Sequence, residues 1–125
     1  MRAWLAPFAL AASLTACSAP DEAASRTVIG QFHAAIDASD WAAVDALLTR
    51  STRDLRPGGA TARAFRALTA RHGRYLGGDI ASITAGDGHT RILWQARYEK
   101  GPVRELFVLV EEGGGLKVDS YSDQG

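Results

Sequence analysis

The ten residues Thr90-Arg91-Ile92-Leu93-Trp94-Gln95-Ala96-Arg97-Tyr98-Glu99 alternate with a period of two. Ile92, Trp94, Ala96 and Tyr98 share one side, while Arg91, Gln95, Arg97 and Glu99 share the other. That is the pattern of a strand with one buried and one wet face. Downstream, Val103 to Glu112 holds Phe107-Val108-Leu109-Val110 in succession, as expected of a strand with apolar neighbours on both faces. Leu116 to Tyr121 reads as a last strand, and Ile80 to Ala85 upstream as a weak first one. Gly86-Asp87-Gly88, Lys100-Gly101-Pro102 and Gly113-Gly114-Gly115 lie between them with the composition of hairpin turns. No interval is long enough for a crossover helix, so the four strands form an antiparallel meander.

Before the strands the period is helical. Val28, Ile29, Phe32, Ala35 and Ile36 predict one amphipathic helix, with Ser25 as its N-cap. Asp40 is placed to cap a second, whose stripe is Trp41, Val44, Leu47 and Leu48. Arg56-Pro57-Gly58-Gly59 reads as a loop, and a third helix runs from about Thr61 to His72, ended by Gly73. The expected fold is α+β: N-terminal helices packed on one face of a curled antiparallel four-stranded meander.

Helices first and meander afterwards, with Phe32-His33-Ala34-Ala35-Ile36-Asp37 followed by Asp40-Trp41, resembles the cystatin-like superfamily that includes nuclear transport factor 2-like domains. The closing stretch from Tyr98 through Leu106-Phe107-Val108-Leu109-Val110 to Gly115-Leu116-Lys117-Val118 and Tyr121 strengthens the resemblance, which covers roughly Ser25 to Tyr121. It implies a cavity between the first helix and the sheet, used in some members for isomerase or cyclase chemistry. It also implies dimerisation through the open sheet face. The chain is short for the superfamily, so cavity-forming loops have little room.

A second resemblance lies at the N-terminus. Leu14-Thr15-Ala16-Cys17 closes the apolar stretch Ala3 to Ala12 that follows Arg2, and is similar to a bacterial lipobox. Cys17 is the only cysteine in the chain. Residues 1–16 are then a lipoprotein signal peptide, 17–25 the lipidated cysteine and a flexible tether, and 26–125 one domain. An ordinary signal peptide with a chance cysteine is the alternative. Acylated Cys17 implies a membrane partner, and two or three acyl chains hold far more firmly than one. Ser18, where an aspartate would retain a lipoprotein at the inner membrane, implies the outer membrane, facing the periplasm, in a Gram-negative host.

Removal of residues 1–16 would leave 109 residues with 13 basic and 14 acidic side chains, too balanced for a general nucleic-acid binder. No internal disulfide can form, so apolar burial must hold the fold. His33, His72 and His89 stand too far apart for a paired zinc motif, so neither metal nor other cofactor is expected. No Gly-x-Ser-x-Gly elbow is present. His72 reads as a core-edge histidine.

Three features carry the functional expectations. His33 and Asp37, four apart, can meet on the first helix, either as an acid/base pair facing a cavity or as a solvated pair on the helix edge. The cavity wall would comprise Phe32, His33, Ile36, Asp37, Trp94 and Tyr98. Seven arginines against one acid lie between Arg50 and Arg74, and Arg63, Arg66, Arg71 and Arg74 fall on one helix side, either solvated or facing an anionic lipid or protein. Leu106, Val108 and Val110 fall on one face of their strand and Phe107 and Leu109 on the other. Helices cover only one, and the open apolar face, with Leu93 added if the register pairs it there, predicts a weak homodimer unless the stems of Arg91, Gln95 and Arg97 cover it. The leading expectation is a lipid-anchored envelope protein with a non-catalytic interaction or accessory domain. The alternative is a small hydrophobic ligand binder or isomerase/cyclase-like enzyme.

Overall fold

The computed structural model describes residues 20–56 and 58–124; the stretch expected to be a signal peptide, residues 1–16, and Cys17 lie outside the described residues. Helices α1 (Glu22–Asp37), α2 (Trp41–Leu47), α3 (Arg50–Asp54) and α4 (Ala60–His72) precede strands β1 (Tyr75–Gly86), β2 (His89–Tyr98), β3 (Gly101–Glu112) and β4 (Gly115–Gln124). The strands pair antiparallel in the order β1-β2-β3-β4, a meander with the helices packed on one face. The α+β expectation is met.

Two boundaries differ from the sequence reading. Helix α1 starts at Glu22, capped by Asp21, whose carboxylate accepts from the Ala24 N–H at 2.9 Å. Ser25, the expected cap, is instead inside the first turns and fully buried, its hydroxyl without a partner among the described residues. The extra helix α3 has no apolar stripe to announce it. Thr49 caps it through a bond from the Thr52 N–H and donates to Asp119 at 3.0 Å. Leu48 forms a parallel bridge with Val118, so this segment lies along the outer edge of β4 and covers part of it.

Strand β1 is also longer than its sequence suggests. Two register shifts, at Tyr75/Gly77 and Ile80/Ser82, bend it while pairing with β2 continues. Asp87-Gly88, with φ of 52° and 77°, turns β1 into β2 through a left-handed pair that suits a two-residue hairpin.

The predicted faces hold. Ile92, Trp94, Ala96 and Tyr98 are buried, as are Val103, Glu105, Phe107 and Leu109 on β3. On α1 the buried stripe is Val28, Ile29, Phe32, His33, Ala35 and Ile36. Phe32 is the hub: its ring meets Phe65, Phe107 and Tyr121 at centroid distances of 5.2, 5.3 and 5.2 Å. Burying a ring of that size contributes about 1.5–3 kcal/mol. On the opposite sheet face Leu93 pairs with Leu106 in register, as expected. Leu106 and Val110 are half-buried there, and Val108 is nearly closed off.

Candidate functional site

Among the buried side chains of β3 one is charged, Glu105, and it has no solvent exposure. A carboxylate taken out of water must be paired and hydrogen-bonded. Three donors meet it. His33 Nε2 lies 2.8 Å from Oε1, Tyr98 donates its hydroxyl to Oε2 at 2.8 Å, and Tyr121 donates to the same oxygen. The donors come from α1, β2 and β4, so the cluster exists only when helix and sheet are assembled. Burial first, then the Glu105 charge, pushes both phenols well above the ordinary tyrosine range, and they remain protonated donors.

A carboxylate in its ionised form can only accept, and the bond to it then takes its proton from His33 Nε2. His33 Nδ1 is buried and has no partner among the described residues. The imidazole stacks face to face on Tyr75 at 3.7 Å, with 2° between the planes. Trp94 in turn donates Nε1–H to the Tyr75 hydroxyl at 3.1 Å. The indole can lie there because Gly78 has no side chain; a Cβ at that position would stand 2.3 Å from Trp94 Nε1. Burial raises the Tyr75 phenol above its ordinary value as well.

Beside this cluster a cleft of about 330 Å³ opens to the surface. Its lining comes from α1 (His33, Ile36, Asp37), the next turn and α2 (Ser39, Trp41), α4 (Arg66, Thr69) and the start of the sheet (Arg74, Tyr75, Tyr98). Of the six expected cavity residues, His33, Ile36, Asp37 and Tyr98 line it. Phe32 and Trp94 do not: both are packed in the core, where Phe32 is fully buried.

The expected meeting of His33 and Asp37 does not occur. His33 stands on the buried stripe and turns to Glu105, while Asp37 reaches Arg74 at 3.3 and 3.4 Å on the surface. Neither a His-Asp pair nor a solvated His33 describes the site. The missed residues are Glu105, Tyr121 and Tyr75. Glu105 shares its strand parity with Phe107 and Leu109, which was the available signal; the apolar run that begins one residue later drew attention away from it.

The arginine side of α4 is partly neutralised. Arg71 and His72 both bond Asp123, at 3.1 and 2.9 Å, and Arg74 holds Asp37. Burial opposes the Asp123 charge, but the bonds from His72 and Arg71 outweigh it and hold that carboxyl below its usual range. Arg66 stacks over Trp41, 5.5 Å from the ring centroid. Arg63 makes no ion pair among the described residues.

A larger hollow of about 670 Å³ lies at the start of α1 against the two hairpin tips. Its lining contains no buried polar side chain. Among the described residues, no group of three or more His, Cys, Asp or Glu could hold a metal ion. Nor is any described helix long and apolar enough to cross a membrane.

No family model matches the sequence, and no curated protein matches it. Among solved structures, the fold overlaps that of an NTF2-like protein of unknown function from Cytophaga hutchinsonii. The TM-score is 0.43 and the identity 11%, over 80% of this chain and 88% of that one. At that level the likeness carries no functional argument.

Proposed function

We propose that the folded domain binds a small organic ligand in the cleft between α1, α4 and the start of the sheet, and works tethered to a membrane through acylated Cys17. The observation that carries the ligand reading is the about 330 Å³ opening placed against the buried His33–Glu105 pair. Small-ligand sites are concave, largely apolar and carry a few fixed polar groups. Here Ile36, Trp41, Tyr75 and Tyr98 supply the apolar wall, and the imidazole the fixed polar group. Glu105 fixes the orientation of His33 through the 2.8 Å bond, an arrangement that serves binding alone or acid/base chemistry. The lipobox-like Leu14-Thr15-Ala16-Cys17 supports the anchor.

Nuclear magnetic resonance on the full chain with a set of single-ring organic compounds tests the cleft. Saturable shifts confined to Ile36, Trp41, Tyr98 and their neighbours are expected; none across the set would remove the ligand reading. For the anchor, Cys17→Ser should abolish lipid labelling and either release the protein from membranes or leave it uncleaved. Normal maturation with unchanged retention would overturn it.

A second reading, an interaction domain for an anionic partner, keeps one observation in its favour. Leu55 is 83% exposed between Arg53 and Arg56, neither of which makes an ion pair among the described residues. This shifts the basic contact from the expected Arg63, Arg66, Arg71 and Arg74 towards the α3–α4 turn. Self-association through Leu93, Leu106 and Val110 belongs to the same reading. Sedimentation at high micromolar concentration decides it, a purely monomeric species removing the dimer.

A further inference from the structure

We propose that the cleft takes a small cyclic carboxylic acid that also bears a hydroxyl, and that His33 Nδ1 accepts the hydrogen bond of that hydroxyl. The inference rests on the reading of the cleft as a ligand site and names the chemistry it selects.

Three independent features lead there. The first is the orphaned nitrogen. With Nε2 donating to Glu105 at 2.8 Å, a neutral imidazole presents Nδ1 as a bare lone pair, and that atom is buried with no partner among the described residues. Leaving a buried acceptor unmade is costly, so the position favours any ligand that brings a donor. Tyr75 covers one face of the imidazole at 3.7 Å and stays as a wall, while the Nδ1 lone pair lies in the ring plane, so a hydroxyl must approach along the ring edge.

The second is charge. Arg66 and Arg74 line the cleft against Asp37 alone, a balance of one positive charge from these three. Arg74 and Asp37 are exposed partners at 3.3 Å, an ion pair of little strength in water. A ligand carboxylate can take the place of Asp37 on the guanidinium, whose planar fork suits bidentate recognition. The third is shape. The aromatic walls of Trp41, Tyr75 and Tyr98 and a volume of about 330 Å³ fit one flat ring with its substituents.

The probes are the three hydroxybenzoate isomers, benzoate and benzyl alcohol, titrated into the purified full chain and followed by nitrogen resonances of the histidines. The best hydroxybenzoate should bind about tenfold more tightly than benzoate, the worth of one hydrogen bond to a buried acceptor. It should shift His33 Nδ1 and leave Nε2 in place. Arg74→Gln and Arg66→Gln, both on the surface, should weaken both acids several-fold and leave benzyl alcohol unchanged. Equal binding of benzoate and every hydroxybenzoate, with Nδ1 unmoved, would overturn the hydroxyl assignment while leaving the cleft as a site. Benzyl alcohol binding best, unaffected by either arginine variant, would overturn the acid. If no probe moves Ile36, Trp41 or Tyr98, both the inference and the ligand reading fail.

Discussion

Phe32 and His33 are neighbours on one helix and finish in different surroundings. Phe32 enters a nest of rings from α4, β3 and β4 that closes the space beneath α1 completely. His33, one position on, meets a buried carboxylate and the wall of an open cleft. The first half gains its stability from apolar burial, which requires only complementary volume. The second sets the cost of desolvating Glu105 against three hydrogen bonds, a balance that does not rest on apolar burial. The contrast teaches that one sheet face can hold two kinds of packing: apolar side chains such as Ile92, Phe107 and Leu109 need only volume, whereas Glu105 between Val103 and Phe107 needs named partners from three other elements.

The comparison can be broken most forcefully at its apolar end. Phe32→Ala should cost about 3–5 kcal/mol, measured by denaturant unfolding, because the surrounding rings cannot collapse into the space. A loss under about 1 kcal/mol would mean the nest is loosely packed. Glu105→Gln comes next, with about 1–3 kcal/mol lost, since the amide keeps the shape but turns a donor towards hydroxyls and imidazole that already donate. Its effect should extend to the cleft, moving the His33 nitrogen resonances by more than Phe32→Ala does, since Phe32 meets the imidazole only edge-on at 6.0 Å while Glu105 bonds it directly. If both variants move His33 alike, the two halves are not separable.

A pH titration sharpens the polar half. Tyr98 and Tyr121 stay protonated in the fold but would ionise near about pH 10 in the unfolded chain. Above that pH the unfolded chain releases protons that the folded chain retains. Stability is therefore full below about pH 10 and falls as pH rises further. Tyr98→Phe should flatten that alkaline limb; an unchanged limb would show that other groups set it. The smallest expected effect has the opposite sign. Ser25→Ala removes a buried hydroxyl with no partner among the described residues and should stabilise by about 1 kcal/mol, read as a higher midpoint in the same unfolding assay. A loss of stability there would show that the hydroxyl is satisfied in solution.

Much of the fold could be read from local pattern. The parity of Ile92, Trp94, Ala96 and Tyr98 and the spacing of Val28, Ile29, Phe32 and Ile36 name the buried faces, because side-chain direction follows from backbone geometry alone. Asp40 was legible as a cap for the same reason: its carboxylate needs only the backbone N–H three residues on, at 3.1 Å. Glycine-rich turns at fixed intervals then leave a meander as the sheet topology. Helix α3 escaped because Arg50 to Asp54 has no apolar period, and the start of β1 because glycines dilute its alternation.

The site was a different matter. His33 and Asp37 were found by sequence, but their partners were not, since Glu105 stands 72 positions from His33 and Arg74 stands 37 from Asp37. The choice of Glu105 over Asp37 is made by the packing of α1, which turns His33 inward and leaves Asp37 at the rim. Strand period, helix period, caps and turns were thus determined by the sequence itself, each depending on neighbours within a few residues. Which carboxylate holds the imidazole, which arginines are neutralised and where the cleft opens were decided only by the tertiary structure, because each depends on side chains that the chain brings together from different elements.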